Sequence, residues 1–415
     1  MGRSKGQIPQ VAIVGMGASG LAAALTLFRE GFAGEMVALE KQDRVGKKLL
    51  STGNGRCNLG NEAIAPCHYH SQNPSALAAC LEEMPVEQTL AFFRESGLLC
   101  RQESGRLYPL CNQASMVLDV LRLELGQAGV QLRTGCTVQH LRWADGKFLL
   151  HLDTGEVLPA RRVILATGGR AAPKLGSDGS GYGLARAMGH KVNPLYPCLV
   201  PLKGKEQVFH GLKGQRAQGR ASLLAGEQLL GAETGEIQFT DYGLSGIPLF
   251  QLSCLLPQAA GRGVISLDLL PDLPLEGVLA LLRERLHQGR YQTLEELLLG
   301  TVPKRVGLAL LKSLGFASLA QPVAALRDRE VRDIAATLKD WRMQVSGTLG
   351  WDQAQVTGGG ISLEEVDPRT MESRLRPGLY LTGELLDAVG DCGGYNLHWA
   401  WNTGILAARA AGGTR

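Results

Sequence analysis

The segment Val11–Gly31, VAIVGMGASGLAAALTLFREG, constrains the fold more than any other part of this 415-residue chain. Val11–Val14 is an unbroken run of Val, Ala and Ile, a pattern suited to a short strand buried on both faces. It runs straight into Gly15-Met-Gly-Ala-Ser-Gly20, and the residues that follow read as a helix stopping at Gly31. A turn then leads to MVALE, Met36–Glu40, a second strand whose terminal acid stands about 20 residues past the glycines. The glycines serve different physical ends. Gly15 permits the tight turn, Gly17 lets the backbone approach a pyrophosphate, and Gly20 lets helix and strand pack closely. The helix start, with Ala18 and Ser19, presents free N–H groups and a partial positive charge to an anion. Glu40 can accept hydrogen bonds from a ribose, and its charge would repel a 2′-phosphate, which disfavours NADP. The βαβ unit therefore reads as a dinucleotide site built on Gly15, Gly17, Ala18, Ser19, Gly20 and Glu40.

Composition narrows the setting. A chain of 415 residues exceeds the size at which one hydrophobic core usually stops growing, so two or three domains are expected. The net charge of +4 is scattered over the sequence with no block of like charge, so no nucleic-acid arm or membrane patch is indicated. Nine cysteines, none spaced C-x-x-C, point away from a disulfide scaffold or a zinc site and toward a reducing cytoplasm. No metal site is expected. Arg3 and Lys5 precede an uncharged stretch that resembles a secretion leader, but Gly15, Gly17 and Gly20 interrupt it, and it reads instead as strand, turn and helix.

Three further segments choose among the dinucleotides. RVGKKLLSTGNGRCNLGN, Arg44–Asn61, is dense in Gly, Asn and Ser after a basic pair. Lys47 and Lys48 can neutralise phosphate, and Thr52, Gly53, Asn54, Gly55, Arg56, Cys57 and Asn58 can bring main-chain N–H groups against a flat ring or an anion. The alternative is a long surface loop with solvated lysines. RRVILATGG, Arg161–Gly169, looks like a strand returning to the cofactor, with Ala166, Thr167 and Gly168 beside the nucleotide. From Leu379, LYLTGELLDAVGDCGGYNLHWAWNTGILAARAA joins a strand ending at Gly383-Glu384, a glycine turn and an apolar helix. It resembles the late motif of the glutathione-reductase-type FAD fold, in which the helix start points at the isoalloxazine and stabilises negative charge there. Asp387, Gly394, Tyr395, Asn396 and Leu397 belong to this wall, and Lys41 and Val138 complete the expected cofactor contacts.

With these pieces in order, the chain resembles the BaiN/YhiN-like (aminoacetone-oxidase-like) FAD-binding flavoprotein family. KLLSTGNGRCNLGN, GRLYPLCNQASMVLDVL, FTDYGLSGIPLFQLS, VTGGGISLEEVDPRTMESR and GGYNLHWAWNTG carry the likeness nearly end to end. It departs at Asp241, where the resemblance implies a histidine, and at Ile247, which is inserted before the proline. The resemblance implies an α/β fold: a Rossmann-type, glutathione-reductase-like FAD domain interrupted by a small β-barrel-like insertion that carries a helical subdomain. The expected division is 1–193 and 351–415 for the FAD domain, 194–270 and 331–350 for the insertion, and 271–330 for the helices. Local patterns agree. CLVPLK and RASLLAG alternate between glycine turns, LEGVLALLRERL and VGLALLKSLG have helical spacing, and WRMQVSG looks like a returning strand.

The implied activity is redox chemistry by FAD on a small organic molecule, either oxidation of an amine or alcohol or reduction of a carbon–carbon double bond. No second complete glycine fingerprint follows a strand, so NAD(P)H is expected at most as a transient electron donor. Tyr395, His398 and Cys57 are the candidates for proton transfer or a reactive thiol, each weighed against an ordinary packed side chain. Asp241 and Tyr242 are weaker ones. Two competing readings are an NAD(P)-dependent dehydrogenase, which leaves the C-terminal motif unexplained, and a flavoprotein with an RNA-associated role. The oligomeric state is not legible.

Overall fold

The apolar run Val11–Val14 sits in the middle of a five-stranded sheet in the computed structural model, which describes residues 8, 10–205, 209 and 211–413. Arg3 and Lys5 lie outside the described residues. The chain divides into two units, Met1–Tyr196 with Gln355–Arg415, and Pro197–Ala354. In the first unit the strand order is Leu379–Leu381, Arg162–Leu165, Val11–Val14, Met36–Glu40, Gln131–Thr134. Every pairing is parallel, with Ile13 opposite both Ala38 and Ile164. A parallel sheet needs cover on both faces, which is why its central strands are continuously apolar and buried.

The helix Ala18–Arg29 buries every residue from Ser19 to Leu27. The C-terminal helix Tyr395–Gly412 packs on it. Close approach is possible because Gly404 lies against the Ser19 backbone, where a Cβ would collide with the Ser19 carbonyl. Trp399 and Trp401 on this helix can be fully buried because each indole has an acceptor: Trp399 Nε1 donates to the Gly383 carbonyl at 3.0 Å and Trp401 Nε1 to that of Leu59 at 3.2 Å. Val138 is buried at the start of a separate three-stranded antiparallel sheet, Val138–Ala144, Lys147–Leu152 and Val157–Ala160.

The second unit holds a closed six-stranded barrel, in the order Leu202–Gly204, Gly243–Ser245, Gln228–Phe239, Arg216–Ala225, Gly263–Asp268, Trp341–Thr348. Its pairings are antiparallel, and Trp341–Thr348, the expected returning strand, closes it against both Gly263–Asp268 and Leu202–Gly204. Along Arg216–Ala225 the alternate residues Ala217, Gly219, Ala221 and Leu223 are buried, so small side chains fill a narrow interior. Helices Leu275–His287, Lys304–Ser313 and Asp328–Lys339 add Val278, Leu310, Ile334 and Leu338 to the same core. The third helix continues past the expected edge at 330 because its apolar face, Val331, Ile334, Ala335 and Leu338, runs on to the end.

Candidate dinucleotide and redox site

The three glycines of the phosphate loop are needed for different reasons. Gly15 has φ 93°, and a Cβ there would stand 2.5 Å from the Ala166 carbonyl oxygen. A Cβ on Gly20 would collide with the Gly15 carbonyl. A Cβ on Gly17 would meet nothing within 4 Å. Packing inside the protein therefore demands the first and third, whereas the second keeps clear a space that a pyrophosphate would fill. Gly17 is also the N-cap of the helix and no side chain caps it, so the first-turn N–H groups are left for an external anion. Glu40, 8% exposed, is held by backbone donors on each oxygen: Met16 N to Oε2 and Gln42 N to Oε1, both at 2.8 Å. The remaining lone pairs suit ribose hydroxyls. Lys41 is drawn to Asp178 at 2.6 Å.

The Arg44–Asn61 segment forms a second wall. Gly53, Asn54, Gly55 and Cys57 all take left-handed backbone conformations, with φ of 57°, 55°, 82° and 59°. The Thr52 hydroxyl donates to the Leu49 carbonyl at 2.7 Å, and Cys57 N donates back to the Thr52 carbonyl at 3.0 Å, closing the turn. Arg56 leaves the site for Glu103 at 2.6 Å and stacks on the Tyr108 ring. Lys47 donates to Gln42 Oε1 at 3.1 Å, and Lys48 is paired with Glu384 at 2.7 Å, so its charge is already matched inside the protein. Glu384 is a hub: its Oε1 accepts from Thr357 N and Oγ1, both at 2.8 Å, and Thr357 Oγ1 accepts from Arg170 N and Ala171 N. The segment after the strand end at Ala166, Thr167 and Gly168, the Lys47–Lys48 segment and the end of the C-terminal strand are thereby tied together. Replacing Glu384 with Ala leaves Lys48 and two Thr357 donors without their acceptor. We expect a loss of about 1–3 kcal/mol in urea unfolding, with FAD retention falling in parallel.

The third wall begins at Gly383, whose N–H donates to Thr403 Oγ1 at 2.9 Å. Asp387 is 2% exposed and its Oδ2 accepts from Gln72 N and from Asn193 Nδ2, and burial raises its pKa. That carboxylate straps loops together. Asn396 exchanges two hydrogen bonds with the Gly390 backbone, at 2.8 and 2.7 Å. Gly394 is the left-handed N-cap of the final helix, again without a side-chain cap. Beside it lies Asn58 Oδ1, a buried acceptor with no partner among the described residues. An unpaired buried amide oxygen costs about 1–3 kcal/mol, and a ring N–H of a bound cofactor would relieve it. Leu397 is half-buried alongside. These features fit FAD: an open cradle at Gly17, a poised acid at Glu40, and an orphaned acceptor at the start of a second uncapped helix.

Two catalytic candidates are corrected by burial. His398 is 0% exposed, with Nδ1 at 3.0 Å from Thr89 Oγ1 and Nε2 at 2.9 Å from the Met84 carbonyl. Both nitrogens are occupied inside the core, and desolvation pulls its pKa down to about 4. Cys57 is also fully buried, which pushes its thiol up to about 12, so no thiolate is available near neutrality. Tyr395 stays at the site, stacked on His68 with ring centroids 4.6 Å apart. The sequence reading missed His68, His70 and Asp391, which meet there. Each lies in or next to a two-residue strand, too short to carry a pattern. In the other unit, Asp241 pairs with Lys213 at 2.7 Å on the surface.

His398 also gives a pH prediction. Its folded pKa lies below the unfolded value, so the unfolded chain binds the proton first and stability is lost as pH falls from about 6.5 toward 4. Across that window the loss in urea unfolding free energy should be about 3 kcal/mol larger for the wild type than for His398→Gln.

The description "HI0933-like protein Rossmann domain" matches residues 9–410. The chain is 42% identical over 405 residues to a 3-dehydro-bile acid delta(4,6)-reductase of Clostridium scindens, covering 97% of this chain and 98% of the relative. It is 32% identical over 411 residues to a ribosomal RNA dihydrouridine synthase of Escherichia coli, covering 96% of each. Among solved structures, 3-ketosteroid delta1-dehydrogenase from Sterolibacterium denitrificans overlays with a TM-score of 0.52 at 14% identity, over 99% of this chain and 100% of that one. That likeness shows the fold. No helix among the described residues is long and apolar enough to cross a membrane. The cofactor is FAD, the enzyme is an FAD-dependent oxidoreductase, and a dehydrogenase using NAD(P) alone is not favoured. With the fingerprint, its three walls and end-to-end relatives in agreement, the chain belongs to the HI0933-like family of FAD-binding Rossmann proteins.

Proposed function

We propose that this enzyme reduces a carbon–carbon double bond conjugated to a carbonyl in a cyclic small molecule of the steroid or bile-acid type. The observation that carries the reading is the 42% identity, spanning both chains almost completely, to a protein named as a delta(4,6)-reductase of a 3-dehydro bile acid. The name of the second relative, a dihydrouridine synthase, describes the same chemistry, since the double bond of a uracil ring is also conjugated to a carbonyl. When bound, FAD supplies hydride or single-electron transfer at its ring. The chain's own residues do the rest. The open backbone at Gly17 and the first-turn N–H groups would hold the pyrophosphate, Glu40 would accept from the ribose hydroxyls, and Asn58 with the helix start at Gly394 would hold the ring end.

The smaller substrate is favoured over RNA because the more similar relative acts on a small molecule and the basic residues form no block in the sequence. Cytoplasmic action is supported by nine cysteines with no C-x-x-C spacing among them. Electrons would come from a nicotinamide docking transiently. The test is incubation of the purified protein with NADH or NADPH and, in separate arms, testosterone or ribosomal RNA transcribed in vitro. Mass spectrometry should find the saturated steroid. Dihydrouridine in the RNA arm with an unchanged steroid would replace this reading by the RNA one.

A further inference from the structure

A carboxylate clamped between two imidazoles stands at the start of the C-terminal helix. Two short strands pair antiparallel, Val389 opposite His70 and Gly390 opposite Tyr69, and the ladder continues with Asp391 N donating to the His68 carbonyl at 2.9 Å. Asp391 therefore lands between the rings. Its Oδ2 is 3.2 Å from His68 Nδ1 and its Oδ1 is 3.2 Å from His70 Nε2. The Asp391 side chain is 18% exposed and that of His68 35%. The His68 ring lies on Tyr395 at 4.6 Å with 21° between planes, and the Tyr69 hydroxyl donates to the Tyr395 carbonyl at 3.0 Å. One nitrogen of His68 is thus tied and its plane is set by stacking, while Nε2 has no hydrogen-bond partner among the described residues. Cys67, Tyr69 and Arg106 are the other titratable or charged groups around Tyr395 and Tyr69. No group of three ligands able to hold a metal occurs among the described residues. A carboxylate on Nδ1 selects the tautomer and orientation that present Nε2 to a reactant.

The same helix locates the cluster along the cofactor site. Gly404 touches Ser19 at the phosphate loop, and the nine residues back to Tyr395 correspond to roughly 14 Å of helix. A dinucleotide held at the phosphate loop and lying along this helix would bring its ring end toward Tyr395 and His68.

We propose that His68 is the acid that protonates the substrate, with Asp391 and Tyr395 as its positioning residues. This rests on the reading of the enzyme as a reductase of conjugated double bonds. In that reaction the β-carbon gains a hydride equivalent from the reduced cofactor, and the π electron pair shifts toward the carbonyl to give an enolate. The α-carbon then takes the Nε2 proton of the His68 imidazolium, Nδ1 keeps its proton and donates it in a hydrogen bond to the Asp391 carboxylate, and the neutral imidazole left behind recovers its Nε2 proton from water.

The experiment is anaerobic stopped-flow reoxidation of the dithionite-reduced holoenzyme by testosterone, with ferricyanide as an acceptor that needs no carbon protonation. His68→Ala should keep its FAD and its reaction with ferricyanide, lose about 100-fold in reoxidation by testosterone, and regain part of it with added imidazole. Asp391→Asn should lower the limiting rate with little change in the testosterone concentration at half-saturation. A readout without turnover is carbethoxylation of His68 by diethyl pyrocarbonate in the oxidised enzyme, followed by mass spectrometry, which dihydrotestosterone should slow severalfold. Reoxidation by testosterone at the wild-type rate in His68→Ala overturns the proposal and leaves the reductase reading intact. Loss of FAD from that variant assigns His68 to cofactor retention and also overturns it. A wild-type enzyme that testosterone does not reoxidise overturns the reductase reading itself, and the proposal with it.

Discussion

Gly17→Val should give a folded protein that purifies colourless. No protein atom lies within 4 Å of a Cβ at this position, and its φ of −78° is ordinary for any residue. The cost to the empty fold is therefore confined to a poorer helix N-cap, at most about 1 kcal/mol. The added methyl groups instead occupy the space beside the first helical turn where a pyrophosphate must come against bare backbone. A loss of at least about 100-fold in FAD affinity, near 2.7 kcal/mol, is expected from fluorescence titration of the apoprotein. Circular dichroism and the thermal midpoint of the apoprotein should stay close to the wild type. A yellow, fully loaded Gly17→Val protein would show that the dinucleotide lies elsewhere.

Gly404→Val should do the opposite and damage the fold first. Gly404 sits where the C-terminal helix crosses the first helix, and any Cβ there collides with the Ser19 backbone. Neither side can yield easily. The first helix is fixed to the central strand through Gly20 and Gly15, and the C-terminal helix is pinned by Trp399 and Thr403 on Gly383. Forcing the two helices apart opens voids along Leu21, Leu25, Ile405 and Ala408, all of them buried. A destabilisation of about 4 kcal/mol or more follows, read as a thermal midpoint lower by roughly 5 °C or more. FAD should be lost as a consequence, and an excess of the cofactor should recover part of the stability by mass action. Gly17→Val gains no such protection, which separates the two variants.

What could be read in advance was whatever a short segment states by itself. Val11–Val14, the glycines and Glu40 carry their pattern within one βαβ unit, and the structure places them as that pattern requires. The glycine loop at Gly53–Gly55 stood out by its content of turn residues, and the strand ends at Ala166 and Gly383 by their resemblance to segments of FAD folds. The misreadings concern pairs far apart in the chain. Lys48 looked like a free cation until the fold brought it to Glu384, 336 positions away. His398 and Cys57 have suitable chemistry and stand in suitable segments, but burial, which no local pattern reports, removes them from proton transfer. His68 and Asp391 were invisible for the complementary reason. His68 stands in no motif, Asp391 is only one residue of a glycine turn, and the pairing of two very short strands is what joins them. The barrel strands Leu202–Gly204 and Gly243–Ser245 are only three residues long, so their place in the closed sheet comes from partners on either side.

In the mechanism proposed above, residues of three discontinuous walls would hold FAD, and a conjugated double bond of the substrate is reduced. The most direct test is a single turnover under argon, mixing the reduced wild-type enzyme with one equivalent of testosterone while following the flavin absorbance. The oxidised flavin spectrum should return as an equal amount of saturated ketone forms. A flavin that stays reduced while the steroid is recovered unchanged would contradict that mechanism.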